Sequence, residues 1–319
     1  MLRKLSCVLL VSLLACLVFA QGCSAQQAAA PVFAPEPAPV FRVLPEPLPR
    51  GNPGRVMAEG LPSGASVSGT FDGKPIFFYD NKGVLVGLFG ADVMIKPGAH
   101  PLSVSWKTAA GAGGTERLDV SVVDKSYGVR DVKVPQSQVD LSAEDLERAR
   151  VEREQTSKAL ATRSPERLWS GEFLEPVNGR INSSFGRQTR FNGILNPRPH
   201  AGADYLVGEG TPVSAPADGR VILTGDHFFA GNSVYIDHGQ GLVSMFFHLS
   251  RIDAVSGRDI KKGETLGLVG KTGRVSGAHL HYGLYINGAR IDPPVFRQMT
   301  ATLAGDNPNP AAATRAGAE

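Results

Sequence analysis

Cysteine is scarce. Of three in 319 residues, Cys7 and Cys16 lie in an apolar leader and Cys23 falls just behind it. The body of the chain therefore has no disulfide framework and no thiolate metal site. A surplus of either charge is also missing: the formal net charge is +3, too little to argue for a nucleic-acid partner. Aromatic residues make up 7% of the chain, against 37 glycines and 23 prolines, which favours β-rich, loop-rich domains over helical bundles. The motif H-E-x-x-H does not occur, so no helix supplies a glutamate base of that kind. What remains is ordinary globular usage, 42% hydrophobic and 20% charged, in a length that allows about two domains.

The one long apolar run is "LSCVLLVSLLACLVFA", residues 5–20, behind Arg3 and Lys4. It falls short of the roughly 20 residues a membrane span needs and reads as a secretory signal. Ala20-Gln21-Gly22-Cys23 resembles a bacterial lipoprotein processing site, with cleavage after Ala20 or Ala25 as the rival. The expectation is a signal over residues 1–23 and an exported, periplasmic protein held to a membrane by acyl chains on Cys23. Ser24 in second place, by resemblance to Gram-negative sorting, favours the outer membrane.

Composition divides the rest. Residues 24–50, "SAQQAAAPVFAPEPAPVFRVLPEPLPR", read as an alanine/proline tether reaching at most about 80 Å. Residues 51–135 alternate short apolar runs with turns at Asp72-Gly73, Asn81-Lys82-Gly83 and Pro97-Gly98, the pattern of a small antiparallel sandwich-like domain. His100 stands alone there and reads as solvated. Residues 136–170 form a linker around a charged helix capped by Ser142, with a thin apolar stripe of Leu146, Ala149 and Leu160. Residues 171–297 form a second β-rich domain, and 298–319 a low-complexity, disordered tail. The fold class expected is mainly β.

Six of the seven histidines fall in the second β-rich domain. His279 and His281 flank one leucine in "HLHYGLYING", a strand, so both imidazoles project from one face. Upstream, "HAGADY" sets His200 four residues before Asp204. Straight strand would separate their α-carbons by about 13 Å, whereas ligands of one tetrahedral ion lie about 3.3 Å apart. The chain should bend between them, and Gly202 permits it. His200, Asp204 and one histidine of the strand then make a two-imidazole, one-carboxylate set that suits Zn²⁺ and leaves a position for water. Spacing does not say which histidine of the pair binds. His248 ends the apolar strand "GLVSMFFHLS" and, beside a metal, reads as an imidazole placed for proton transfer. His238, before a Gly-x-Gly turn, reads as a structural hydrogen-bonding residue. His227 reads as a loop residue able to line a groove, and Asn232 as a substrate contact.

"SSFGRQ", "HAGADYLVGEGTPVSAPADGRV", "GNSVYIDHG", "FFHLS", "IKKGETLGLVGKTGRVSGAHLHYGLYING" and "IDP" follow one another over residues 180–293. In order and spacing this stretch resembles the lysostaphin/LytM-type zinc endopeptidases of peptidoglycan. Phe246 and Phe247 stand where that family often has tyrosine and a small residue. The resemblance implies one Zn²⁺ per chain on His200, Asp204 and His281, with His279 and His248 as catalytic imidazoles: His279 the general base, His248 a donor to the oxyanion or leaving group. The implied substrate is a crosslinked stem peptide of peptidoglycan. Two alternatives are a zinc amidase cutting between glycan and stem peptide, and a non-enzymatic activator of a cell-wall amidase.

Overall fold

A computed structural model of the chain describes residues 38–136, 140–183 and 185–305. The expected signal at residues 1–23, the site at Cys23 and residues 306–319 of the expected tail lie outside the described residues. Among the described residues ten strands precede the long helix: β1 (Val40–Leu44), β2 (Leu48–Pro49), β3 (Pro53–Glu59), β4 (Ser66–Phe71), β5 (Lys74–Ile76), β6 (Phe78–Asn81), β7 (Val84–Gly90), β8 (Gly98–Lys107), β9 (Gly113–Val123) and β10 (Val129–Val132). After α1 (Ala143–Leu160) come β11 (Arg180–Ser183), β12 (Gln188–Phe191), β13 (Ile194–Leu195), β14 (Gly202–Leu206), β15 (Pro212–Ser214), β16 (Gly219–His227) and β17 (Gly231–Asp237). The chain then forms β18 (Leu242–Ile252), β19 (Asp259–Ile260), β20 (Thr265–Val269), β21 (Leu280–Ile286), β22 (Ala289–Ile291) and α2 (Pro293–Gly305).

The mainly β class follows from this order. The first module packs two sheets, β1-β3-β7-β6 and β2-β9-β8-β4-β5, around one core. Val56 and Phe89 enter it from one sheet, and Phe71, Leu102, Val104 and Val120 from the other. All neighbours are antiparallel except β2 and β9. Strands β1 and β2 lie inside the stretch expected to be a tether. Alternating Phe41 and Val43 let β1 pair with β3 and pack on this core.

The second module is built on a ten-stranded sheet whose central order is β14-β21-β18-β17-β16. Its two faces differ. Leu280, Tyr282, Leu284, Leu242, Phe246, Val234 and Ile236 build the core with Phe173 and Phe296, and the opposite face carries the site. Helix α2 runs through Gly305 because Phe296, Thr300 and Leu303 are buried, so the first residues of the expected tail are packed.

The modules share a seam. Arg290 donates to both carboxylate oxygens of Asp92, at 2.6 and 3.0 Å, and Lys125 meets Asp292 at 3.2 Å. Tyr79 and Val86 pack with Leu303. Helix α1 starts as expected, with the Ser142 hydroxyl accepting from the Asp145 amide at 3.0 Å. Its apolar contact differs from the expected stripe: Leu146 is 56% exposed, while Ala149 and Ala159 are buried. These small residues let the helix lie close to β16. There Glu152 accepts from the Phe228 amide at 2.7 Å and Arg148 donates to the Asp226 carbonyl at 3.3 Å. Arg150 pairs along the helix, with Glu147 and Glu154.

Candidate metal centre

Strand β14 pairs antiparallel with β21, and the register sets Asp204 directly opposite His281. His200 lies just before β14. Its amide donates to the Arg187 carbonyl and its own carbonyl accepts from Gly186, which turns the chain back towards β21. Gly202, expected to permit a bend between His200 and Asp204, is the first residue of β14 and pairs with Gly283. A Cβ there would sit 2.4 Å from the Tyr282 carbonyl oxygen and 2.7 Å from Nε2 of His281, so only glycine lets the strands close at this point.

Three donor atoms converge. Nε2 of His200 lies 3.0 Å from Oδ1 of Asp204 and 3.0 Å from Nδ1 of His281, and the latter lies 2.9 Å from the same Oδ1. Ligands about 2.0–2.2 Å from a tetrahedral ion stand about 3.3 Å apart, so the triangle is near the size a single cation requires. Two neutral imidazoles and one carboxylate suit a borderline divalent metal and leave room for a non-protein ligand. Burial alone would raise the Asp204 pKa. Hydrogen bonds from His200 and His281 outweigh it and hold the carboxyl far below its usual range. Burial also depresses the His281 pKa, which keeps the ring in the neutral form a metal needs.

Two further imidazoles face the triangle. His279 precedes β21, bridged to Gly270, with Leu280 sunk in the core between it and His281. Its Nδ1 donates to the Gly277 carbonyl at 2.9 Å, which leaves Nε2 as the acceptor, 3.8 Å from Oδ1 of Asp204. His248 reaches the same space by a break in strand alternation. Phe246 pairs with Val234 but Leu249 pairs with Asn232, so β18 carries one residue more than β17. The extra residue places His248 at φ +66°, a left-handed conformation costing about 1 kcal/mol or more for a non-glycine residue. Strict alternation would aim His248 into the core beside Phe246. The bulge turns it to the groove and returns Leu249 to the core. Its Nδ1 donates to the Thr272 carbonyl at 3.0 Å, and its ring lies 4.8 Å from that of His279. Burial, helped by the neighbouring His281 and His279, pushes its pKa down to about 3.

The other sequence candidates fall elsewhere. His227 is buried at the end of β16, close to Glu152 of α1, rather than in an open loop, because the helix covers it. His100 sits in β8 rather than free in a turn, 2.7 Å from Asp72 and 2.8 Å from the Lys96 carbonyl. His238 bonds the Asp218 carbonyl at 2.7 Å and the Ser244 hydroxyl at 2.8 Å. Asn232 donates its side-chain amide to the Leu249 carbonyl at 3.0 Å and is occupied within the fold. Phe246 stacks on Tyr282 in the core, while Phe247 stacks on His281 with planes 4° apart and braces that ring. Sequence reasoning missed Phe247 as a support and Thr272 altogether. Alternation alone could have placed Phe247 on the face opposite Phe246, but nothing in "GKTG" marks a contact with His248.

A cation-sized triangle of two imidazoles and one carboxylate, with two more imidazoles in reach on an antiparallel sheet, is a donor set that suits a single divalent cation of a metal-dependent hydrolase. Residues 198–293 match peptidase family M23. A crystal structure of an M23 peptidase from Pseudomonas aeruginosa is 34% identical, with a TM-score of 0.62, over 80% of this chain and 96% of that one. The chain belongs to peptidase family M23. It is also 39% identical over 113 residues to the peptidoglycan DD-endopeptidase ShyA of Vibrio cholerae, covering 35% of this chain and 26% of ShyA. It is 43% identical over 125 residues to the DD-carboxypeptidase/endopeptidase Mpg of Neisseria meningitidis serogroup B, covering 39% of this chain and 28% of Mpg. The matched stretch spans less than a third of either relative.

Proposed function

We propose that the chain is a zinc-dependent endopeptidase that hydrolyses peptide crosslinks of peptidoglycan. The observation that carries this reading is the triangle of His200, Asp204 and His281, with edges of 2.9–3.0 Å, beside two imidazoles whose free nitrogens are both Nε2. These three residues would hold one Zn²⁺. When bound, zinc acidifies water towards neutral pH and polarises a carbonyl.

The protein's own groups handle the protons. Hydrolysis of an amide moves one proton from the attacking water to the departing amine. Nε2 of His279 takes that proton, since its Nδ1–H is already committed to Gly277. His248 is the second proton station. With its Nδ1–H held by the Thr272 carbonyl, His248 presents the Nε2 lone pair to the same space, and that nitrogen takes the proton from His279 and passes it to the departing amine. Phe247 and the carbonyls of Gly277 and Thr272 keep the rings from turning.

The names of ShyA and Mpg support a crosslink between D-amino acids as the bond cut. Among the described residues no helix is long and apolar enough to cross a membrane. Export to the periplasm and lipid anchoring through Cys23 to the outer membrane complete the proposal, resting on residues 1–24 of the sequence. Replacing Cys23 by serine should release the protein from the membrane fraction. The activity test is to incubate the purified chain with defined muropeptide dimers, with and without a chelator. Zinc-dependent conversion of dimers to monomers is the expected result. Stem peptide freed from glycan means an amidase, and intact dimers with zinc bound mean a binding protein.

A further inference from the structure

In the loop between β20 and β21, Thr272 bonds to His248 in a way a loop carbonyl met by chance would not. Its hydroxyl donates to the Leu249 carbonyl at 2.8 Å and accepts from the Asn232 amide at 2.9 Å. The Leu249 carbonyl also takes the side-chain amide of Asn232 at 3.0 Å. The carbonyl of Thr272 accepts from Nδ1 of His248, whose own amide is held by the Ala230 carbonyl at 2.9 Å. The bulge at His248 is thus clamped from both sides. Asn232 opposes it on β17, and Thr272 bonds to the residue that follows it on β18. Space for the clamp is made by Gly231, where a Cβ would stand 2.3 Å from the Thr272 hydroxyl oxygen and 2.4 Å from its carbonyl carbon.

A bulged histidine in a left-handed conformation persists only where its surroundings over-determine it. Two independent constraints do so here. The hydroxyl ties a backbone donor, the Asn232 amide, to a backbone acceptor, the Leu249 carbonyl, beside the extra residue. The carbonyl dictates which ring nitrogen of His248 carries the proton, and so presents the Nε2 lone pair to the site.

We propose that Thr272 is a positioning residue for the hydrolysis: its hydroxyl locks the β18 bulge, and its carbonyl thereby fixes the Nδ1–H tautomer and the aim of His248. The kinetic part rests on the endopeptidase reading; the tautomer part does not. Thr272→Val keeps the shape and removes the hydroxyl. In the full-length, zinc-loaded chain it should lower kcat about 10–100-fold, the range typical of groups that orient a metal site's residues. KM should stay within about twofold, since no substrate contact is lost. Zinc content should remain at one per chain. In histidine-selective ¹⁵N NMR spectra the His248 signals should change from a single Nδ1–H tautomer to a mixture. Thr272→Ser, which keeps the hydroxyl, should restore both kcat and tautomer.

Wild-type kcat in the valine variant, an unchanged His248 tautomer, or a serine variant as impaired as the valine one would each overturn the proposal. Should the valine variant not fold, Thr272→Ala removes the same hydroxyl without the extra methyl group and must still loosen the tautomer; an unaltered spectrum there also overturns it. If the wild-type chain leaves muropeptide dimers intact, the endopeptidase reading fails, and the NMR comparison alone decides the role of Thr272.

Discussion

His238 should make the protein lose stability between neutral and mildly acidic pH, by an amount the structure sets. The ring has no exposed surface. Its Nδ1 meets the Asp218 carbonyl, its Nε2 meets the Ser244 hydroxyl, and Phe173 closes over it with centroids 5.0 Å apart. Burial pushes its pKa down to about 4, against the ordinary 6.5 it regains on unfolding, although the Asp218 carbonyl and the Asp237 charge pull the other way. Between those two values the unfolded chain binds a proton that the folded chain refuses. Stability from this group is therefore complete above the unfolded pKa and falls away as pH drops towards the folded one. From 6.5 to about 4, at about 1.4 kcal/mol per pH unit, the complete loss is about 3–4 kcal/mol. The site matters because the His238 carbonyl accepts from the Leu168 amide, and Ser164 bonds Asp237 one residue away, so this turn anchors the linker that carries α1. The assay is urea unfolding of wild type and His238→Gln at about pH 7.5 and about pH 4.5. The variant starts lower, having lost packing, but its loss between the two pH values, which stop short of the folded pKa, should be smaller by about 2–3 kcal/mol, since other titrating groups are common to both. Equal losses, or a His238 C–H resonance that titrates near the free-histidine value in the folded protein, would show the reasoning to be wrong.

Three further outcomes follow from contacts already described. Gly202→Ala puts a Cβ within 2.4 Å of the Tyr282 carbonyl and 2.7 Å of His281 Nε2, so β14 must shift at the triangle. Zinc affinity, measured against a competing chelator, should fall by about tenfold or more, and unchanged affinity would refute the close approach. Asp92→Ala leaves Arg290 facing the seam without its carboxylate and should cost about 3 kcal/mol in denaturant unfolding, with turnover per folded molecule unaltered. His279→Ala and His248→Ala should each lower kcat by about 100-fold or more while one zinc per chain is retained; loss of zinc in His279→Ala would reassign the ligand to that residue.

The chemistry of the site was legible because it rests on residue types and on the two-residue period of a strand. His279 and His281 had to share a side, and small residues after His200 had to allow a bend. Choosing between those two histidines was beyond spacing. The choice lies in the pairing of Asp204 with His281 across 77 positions of chain, a register that no local pattern encodes. His227 and His100 were misjudged for a related reason. Local sequence describes the element a residue sits on and not what covers it. Over His227 the cover is α1, whose contact face is two alanines and therefore weakly amphipathic. The tether and the tail were judged by their proline, alanine and glycine content, but Phe41, Val43, Phe296 and Leu303 were enough to draw parts of both into packed structure.

The central sheet has to serve two incompatible purposes, and the site sits where it departs from regularity. A regular β18 would send Phe246 and His248 to the core and Phe247 and Leu249 to the groove. That would bury a polar ring without a partner and expose a leucine, each unfavourable by kilocalories on the scale of about 1–3 kcal/mol. One inserted residue resolves both at once, at the smaller cost of a left-handed φ. Similarly, a side chain at position 202 would have held β14 away from β21, and its omission lets a carboxylate and two imidazoles from distant stretches meet within 3.0 Å. Both departures need support from outside the strand that makes them, from Thr272 and Asn232 in one case and from the Gly186–His200–Arg187 backbone bonds in the other. Substitutions at these supports should therefore uncouple folding from catalysis, sparing the unfolding midpoint while lowering turnover, whereas substitutions in the Leu280–Tyr282–Leu284 face should do the reverse. Unfolding curves and kcat measured together on both sets decide it: a strict proportionality between the two quantities across all variants would mean that the irregular positions are ordinary parts of the core.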